Sequence, residues 1–191
     1  MKITLTPKIS ITKNDLLLII AAFVSYTGMY AVRKSFLAAQ FSGETLYGYD
    51  YKTVLVLSQV VGYMLSKFIG IKLVSESKGR HSEWLLLGLV LLGLLCLFLF
   101  VALPHVLRPI AMFVNGLCLG MIFGLVLSYL EGRRNTELLV AGLSTTFIFS
   151  TGFIKSIGVW LIQSMNVSEI WMPFVTGLLF FPFFRKEPSV I

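Results

Sequence analysis

The chain alternates long apolar stretches with short polar connections. Six stretches are poor in charge and close to the roughly 20 residues that a helix needs to cross a bilayer at about 1.5 Å per residue. They are residues 16–41, 53–71, 84–103, 109–130, 138–163 and 170–184. The sixth is short and contains Pro173 and Pro182. The pattern predicts an all-α membrane protein with six transmembrane helices, in a bundle that occupies residues 15–184.

The connections are too short to hold a soluble domain, and their charges indicate an orientation. If six helices alternate, the cations of the connections and tails fall almost entirely on one side of the membrane. That side has Lys2, Lys8, Lys13, Lys72, Lys78, Arg80, Arg133, Arg134, Arg185 and Lys186, and the other side has Lys52 and Arg108. Cytoplasmic loops are enriched in Lys and Arg. We therefore expect a multi-pass protein of the cytoplasmic (inner) membrane, with the N-terminal segment 1–14 and the C-terminal tail 185–191 both cytoplasmic.

The composition supports a lipid environment and excludes two classes of protein. Hydrophobic residues make up 57% of the chain and charged residues 13%, with a mean hydropathy of +0.86. Soluble domains carry about 25% charged residues, so this chain is not expected to be soluble. The net charge of +7 is scattered and forms no basic stripe, so we expect the lipid bilayer as a partner and no nucleic acid.

The sequence has no pattern typical of catalysis or of cofactor binding. It contains no HExxH, GxSxG or GxGxxG motif and no paired carboxylates within the apolar stretches. Cys96 and Cys118 lie in apolar sequence without a CxxC motif, so we interpret them as core or lipid-facing residues. We expect no enzyme activity, no metal site and no cofactor.

Four cations lie inside the apolar stretches, where charge is costly. They are Arg33, Lys34, Lys67 and Lys155. A charge at the centre of a membrane helix costs at least about 2.5–3.5 kcal/mol, so such residues usually face a cavity. Arg33 and Lys67 have a second interpretation, in which their long side chains reach a membrane surface. Lys34, about 100° around the helix from Arg33, is expected to be structural or to meet lipid headgroups.

Polar side chains recur at helical spacing beside three of these cations, so each set shares one helix face. The sets are Tyr26, Tyr30 and Arg33 in the first stretch, Gln59, Tyr63 and Lys67 in the second, and Ser144, Thr151 and Lys155 in the fifth. No Asp or Glu lies within the stretches to neutralise the cations. The pattern indicates a positive cavity that binds a small anion, with guanidinium and ammonium groups as its ligands.

The fourth stretch carries glycines at four-residue spacing. Gly116, Gly120 and Gly124 fall on one face of a helix, which allows another helix to approach closely. We interpret this face as a packing surface.

Two short motifs carry a resemblance to a known family. YAVRKSF at residues 30–36 and YMLSKFI at residues 63–69 resemble the first two helices of major facilitator superfamily transporters, in the organophosphate:phosphate antiporter branch. The resemblance implies a major-facilitator-like bundle in which Arg33 binds the substrate phosphate. It also implies that Lys67, Tyr30 and Tyr63 line the same cavity.

Other parts of the chain depart from that branch. Tyr26 joins the cavity only through its place on the helix face. The loop 72–81 resembles a degenerate form of the superfamily's cytoplasmic loop between helices two and three. In the fifth stretch we find residues such as Phe149 where the branch has a cavity histidine, and Lys155 has no counterpart. The substrate and the coupling mode therefore stay open.

Transporters of this superfamily contain two six-helix halves. We expect this chain to be one such half, paired with a copy of itself or with another six-helix unit, or else a truncated and inactive fragment. The predicted function is secondary transport of an anionic, phosphate-bearing small solute by alternating access. The alternative is a non-transporting membrane sensor or assembly subunit that binds the same anion.

Overall fold

The computed structural model describes residues 20, 23, 27–76, 80–130 and 136–185. The N-terminal segment 1–14, Tyr26 and residues 186–191 lie outside the described residues. The chain is mostly helical. Its elements are helix α1 (residues 27–34), a 3-10 turn (Ser35–Ala38), strands β1 (Thr45–Leu46) and β2 (Tyr49–Asp50), and helices α2 (Tyr51–Glu76), α3 (Arg80–Ala102), α4 (Arg108–Leu130), α5 (Thr136–Ser164) and α6 (Met172–Arg185).

Among the described residues, four helices are long and apolar enough to cross a membrane. Their apolar segments are Tyr51–Gly70, Trp84–Ala102, Arg108–Leu125 and Ser144–Ser164. α6 adds a shorter apolar helix, Met172–Phe181. The second to fifth predicted stretches are thus confirmed as helices, and the chain has the helices of a multi-pass membrane protein.

α1 ends well before the first apolar stretch does. The α-helix stops at Lys34, the 3-10 turn follows, and Ala39 is extended. The Ser35 hydroxyl donates to the backbone oxygen of Pro173 in α6 at 3.3 Å. On the other side, Gly158 of α5 leaves room for Ala38, because a Cβ at position 158 would come within 2.6 Å of the Ala38 Cβ. The 3-10 turn is therefore held between α5 and α6.

The closest helix contact joins α2 and α4 through glycines. An added Cβ at Gly116 would overlap the backbone oxygen of Gln59, and one at Gly120 would overlap the Ser66 hydroxyl. From the other helix, an added Cβ at Gly62 would overlap the backbone oxygen of Phe113. The packing role predicted for Gly116 and Gly120 is confirmed, and Gly62 completes the contact.

The helices form two similar groups. α4 packs against α2 and α3, and the 3-10 turn at the end of α1 packs against α5 and α6. α3 and α6 contact each other. Exchanging the first three helices with the last three maps these five contacts onto one another or onto themselves. α5 also packs against α6 and α4, and among the described residues these two contacts have no comparable counterpart on α2.

A small hairpin of two two-residue strands, which the sequence pattern did not predict, lies in the connection between α1 and α2. β1 and β2 pair antiparallel, with Thr45 opposite Asp50 and Leu46 opposite Tyr49. Tyr47 and Gly48 both have positive φ, at 52° and 81°, which is the geometry of a two-residue hairpin turn. We call the end of the bundle that holds this hairpin the hairpin end.

Side chains link the three connections at the hairpin end. Glu44, beside the hairpin, contacts His105 of the α3–α4 connection at 3.2 Å between Oε2 and Nε2. The Glu169 carboxylate, between α5 and α6, accepts hydrogen bonds from the backbone nitrogens of Gln40 and Phe41 at 3.2 and 2.7 Å. The His105 ring also stacks on Tyr51, with ring centroids 3.9 Å apart.

We expect Gly116→Ala to lower the free energy of unfolding by about 1–3 kcal/mol, the usual cost of overpacking. The reason is that the new methyl group meets backbone, which cannot rotate away. Gly88→Ala in α3 is the control, because position 88 has open space around it. Thermal unfolding in detergent compares the two variants, and equal melting temperatures would contradict the close α2–α4 contact.

Asp50 caps α2 and gives a prediction about pH. Its Oδ2 accepts bonds from the backbone nitrogen and the hydroxyl of Thr53, both at 2.9 Å. These bonds, the backbone bond first, hold the pKa of Asp50 below its ordinary value of 3.8. A lowered pKa in the folded state stabilises the protein above the ordinary pKa, and this stabilisation disappears as the pH falls through the folded-state pKa.

Asp50→Ala should therefore lower the melting temperature at neutral pH, and the difference from wild type should shrink in acid. Asp50→Asn is the control, since an amide can still cap the helix but does not titrate in this range. A difference between Asp50→Ala and wild type that stays constant down to strong acid would contradict this prediction.

Candidate functional site

Arg33 lies at the junction between α1 and the 3-10 turn, with its guanidinium against tyrosine rings. The Arg33 Cζ is 4.1 Å from the centroid of the Tyr63 ring and 6.0 Å from that of Tyr30. Tyr30 is buried, whereas Arg33 and Tyr63 are half-buried. Contacts of this kind between a cation and a ring face are attractive. The polar face predicted for the first apolar stretch therefore contacts the polar face predicted for the second, through Arg33 and Tyr63.

Lys67 joins the same group one turn further along α2. Its Nζ is 4.9 Å from the centroid of the Tyr63 ring, so both cations contact one aromatic side chain. We call Tyr30, Arg33, Tyr63 and Lys67 the Arg33 cluster. Lys67 is exposed, which leaves its ammonium group accessible.

No described carboxylate neutralises the Arg33 cluster. Among the residues whose side chains the structure describes, the one close contact between an acidic and a basic side chain is that of Glu44 with His105. Glu44, Asp50 and Glu169 all lie in connections at the hairpin end and are engaged there. The Arg33 cluster therefore combines two positive charges with hydroxyl groups and an electron-rich ring.

A buried polar network supports the backbone of the Arg33 cluster. Gln59 Nε2 donates to the backbone oxygen of Arg33 at 3.1 Å and to Asn115 Oδ1 at 2.9 Å. Asn115 Nδ2 donates to the backbone oxygen of Gly93 at 3.0 Å. Gln59 was predicted to share the polar face of α2, but Asn115 was missed. The sequence does contain a signal, namely a single amide within the apolar sequence of α4.

Lys155 lies apart from these contacts. It lines an open groove of about 500 Å³ on α5. The groove is formed by Gly152, Lys155, Ser156, Val159, Trp160, Gln163 and Ser164. No described contact joins Lys155 to the Arg33 cluster, and the predicted companions Ser144 and Thr151 do not line the groove.

Lys155 is nevertheless near the level of Arg33 along the bundle. The Thr27 hydroxyl is 2.8 Å from that of Ser150, and Ala38 packs at Gly158. α1 and α5 therefore run in the same direction. Arg33 lies between Thr27 and Ala38 in the sequence, and Lys155 lies between their contact partners, Ser150 and Gly158. Ile154, the neighbour of Lys155, is buried, so Lys155 projects from a different face of α5.

Both cysteines are buried, as the core interpretation predicted, and their thiols on α3 and α4 are close enough to hydrogen-bond. Over the described part of the chain, no three His, Cys, Asp or Glu residues gather as metal ligands.

We expect Tyr63→Leu to lower the free energy of unfolding through loss of the cation–ring contacts, by about 0.5–2 kcal/mol. Tyr63→Phe keeps the ring face and should have a much smaller effect. The loss of stability caused by Tyr63→Leu should also be smaller in an Arg33→Gln background. Thermal unfolding of wild type, the two single variants and the double variant gives the interaction energy between Arg33 and Tyr63. Additive effects of the two substitutions would contradict the contact.

Comparison with known proteins gives a family for this chain. No curated protein and no solved structure matches it. Residues 35–187, which are most of the chain and include Tyr63, Lys67 and Lys155, match a family described as a family of unknown function, DUF5690. The chain therefore belongs to the family DUF5690.

Proposed function

We propose that the protein is a six-helix unit of a secondary transporter of the major facilitator kind, which binds an anionic, phosphate-bearing small solute. The observation that carries the proposal is the Arg33 cluster. Arg33 and Lys67 share the Tyr63 ring, and no carboxylate with a described side chain pairs with either of them.

The chemistry of the Arg33 cluster suits a phosphate group. A guanidinium can hold two phosphate oxygens in one plane, and an ammonium group adds a compact charge. The ring of Tyr63 stabilises both cations but leaves them charged, since a cation–ring contact neutralises nothing. A bound anion would complete the site by supplying the missing negative charge.

The helix arrangement agrees with the proposed architecture. Each half of a major facilitator transporter contains two inverted three-helix repeats. Five helix contacts of this chain are likewise preserved when its first and last three helices are exchanged, whereas the contacts of α5 with α6 and α4 are not. In the proposal α1 and α6 complete the set of six transmembrane helices, with both termini cytoplasmic in the inner membrane.

Transport in this proposal requires a second six-helix unit. The two units would rock around the Arg33 cluster, exposing it to each side in turn. The unit could be a copy of this chain or another six-helix half. Tyr26 would add a hydroxyl on the face of Arg33, and Lys155 would add charge from the groove on α5, which lies at a similar level.

Binding is tested by thermal unfolding of the detergent-purified protein with inorganic phosphate, a phosphate monoester, sulfate and a carboxylate. A ligand at 100 times its dissociation constant should raise the free energy of unfolding by about 2.7 kcal/mol. We expect a phosphate-dependent stabilisation of wild type that is lost in Arg33→Gln. Arg108→Gln is the matched control, since Arg108 contacts Leu103 and Phe100 near the hairpin end.

Stabilisation that survives unchanged in Arg33→Gln would show that Arg33 is not the anion ligand. No stabilisation of wild type by any of the anions would contradict the proposed function. Flux of the phosphate monoester into proteoliposomes then separates a transporter from a sensor or assembly subunit that binds the same anion.

A further inference from the structure

The backbone carbonyl of Arg33 lies in the last turn of α1, where the helix itself supplies no hydrogen-bond donor. The last carbonyl groups of a helix have no partner within it, and a buried carbonyl needs one from elsewhere. Here the α-helix ends one residue after Arg33, and the amide of Gln59 reaches across from α2 to the Arg33 backbone oxygen at 3.1 Å. The end of α1 is thereby fixed to α2.

Gln59 is itself fixed by a chain of bonds with a defined direction. The backbone oxygen of Gly93 can only accept, so the Asn115 side chain turns its Nδ2 toward it and its Oδ1 toward Gln59. Gln59 must then present its Nε2 to Asn115, and the same nitrogen donates to Arg33. Asn115 is fully buried and Gln59 is 6% exposed, so water does not compete for these bonds.

α2 thus holds Arg33 at two places, one turn apart on a single face. Gln59 binds the Arg33 backbone, and Tyr63 contacts the Arg33 guanidinium. Lys67, one more turn along, has its Nζ 4.9 Å from the centroid of the same Tyr63 ring. The bond from Gln59 fixes the backbone of Arg33, and the Tyr63 ring fixes the position of its guanidinium.

We infer that Gln59, oriented by Asn115, is a positioning residue that sets the direction of the Arg33 guanidinium; its consequence for ligand binding rests on the proposed anion site. Without the Gln59 amide, the junction between α1 and the 3-10 turn has no tie to α2 at this point. The Arg33 guanidinium then samples positions off the Tyr63 ring. Its charge is unchanged, but the two-oxygen geometry that a phosphate group requires is held less often.

The test reads the position of Arg33 directly and needs no ligand. In protein labelled with ¹⁵N-arginine, the Nε–Hε resonance of Arg33 is identified by its absence in Arg33→Lys, and the ring of Tyr63 shifts it. Tyr63→Leu gives the reference position without the ring. We expect Gln59→Met, which keeps the length of the side chain, to move the Arg33 resonance at least half of the way toward that reference.

Asn115→Ala provides a second variant, with the Gln59 amide present but no longer oriented, and should move the resonance in the same direction. Thr176→Val is the matched control. Thr176 is also a fully buried polar residue, but its hydroxyl bonds only within α6, to the Met172 backbone oxygen at 2.8 Å. We expect Thr176→Val to leave the Arg33 resonance in place even where it lowers the melting temperature.

Titration with inorganic phosphate completes the experiment. Gln59→Met should raise the dissociation constant between about twofold and tenfold, the change that the net stability of one hydrogen bond gives. An unmoved Arg33 resonance in Gln59→Met and Asn115→Ala overturns the inference, whatever happens to the melting temperature. A moved resonance in a protein whose wild type binds no phosphate upholds the positioning of Arg33 and overturns the proposed function instead.

Discussion

The contact between α2 and α4 determines the geometry of the whole polar region. Gly116 lets α4 lie directly on the backbone of Gln59, and Gly62 does the same for α2 against Phe113. Because the two backbones touch, the neighbouring Asn115 side chain is within hydrogen-bonding distance of Gln59. The rotation of α2 that this contact fixes also turns Tyr63 and Lys67 toward Arg33. Larger side chains at the glycines would separate the helices and, with them, the amides.

The Arg33 cluster places charge where an apolar environment disfavours it. Two cations near one ring repel each other, and their contacts with the ring offset only part of that cost. Buried amides and glycines around the cluster give the backbone little freedom to move the charges apart. The helix contacts and hydrogen bonds are thus closest in the region where the charges have no described carboxylate partner.

Sequence periodicity predicted the parts of the site that depend on a single helix. The four-residue steps of Gln59, Tyr63 and Lys67 define one face of α2, and the structure places that face against Arg33. The glycine spacing on α4 predicted its packing surface in the same way.

Features that depend on how separate helices are rotated could not be predicted. Spacing places Lys155 on a face of α5 but says nothing of where that face points, and the structure directs it into a separate groove. An isolated Asn115 in apolar sequence does not identify its partners. The 3-10 turn was missed because its residues, Ser35–Ala38, include enough apolar side chains to continue a helical pattern. The hairpin lies in the predicted connection, and its two-residue strands are too short to show an alternating pattern. The fixed turn geometry of Tyr47 and Gly48 depends on backbone angles that the hydrophobic pattern does not encode.

The links at the hairpin end have a consequence for movement. Glu169 ties the connection before α6 to the backbone after α1, and Glu44 ties the α1–α2 connection to that between α3 and α4. The α1–α2 connection is therefore bonded to both of the other connections at that end. Helices joined in this way cannot spread apart at that end without breaking several bonds at once. Rotation of the bundle as one body would leave these bonds intact.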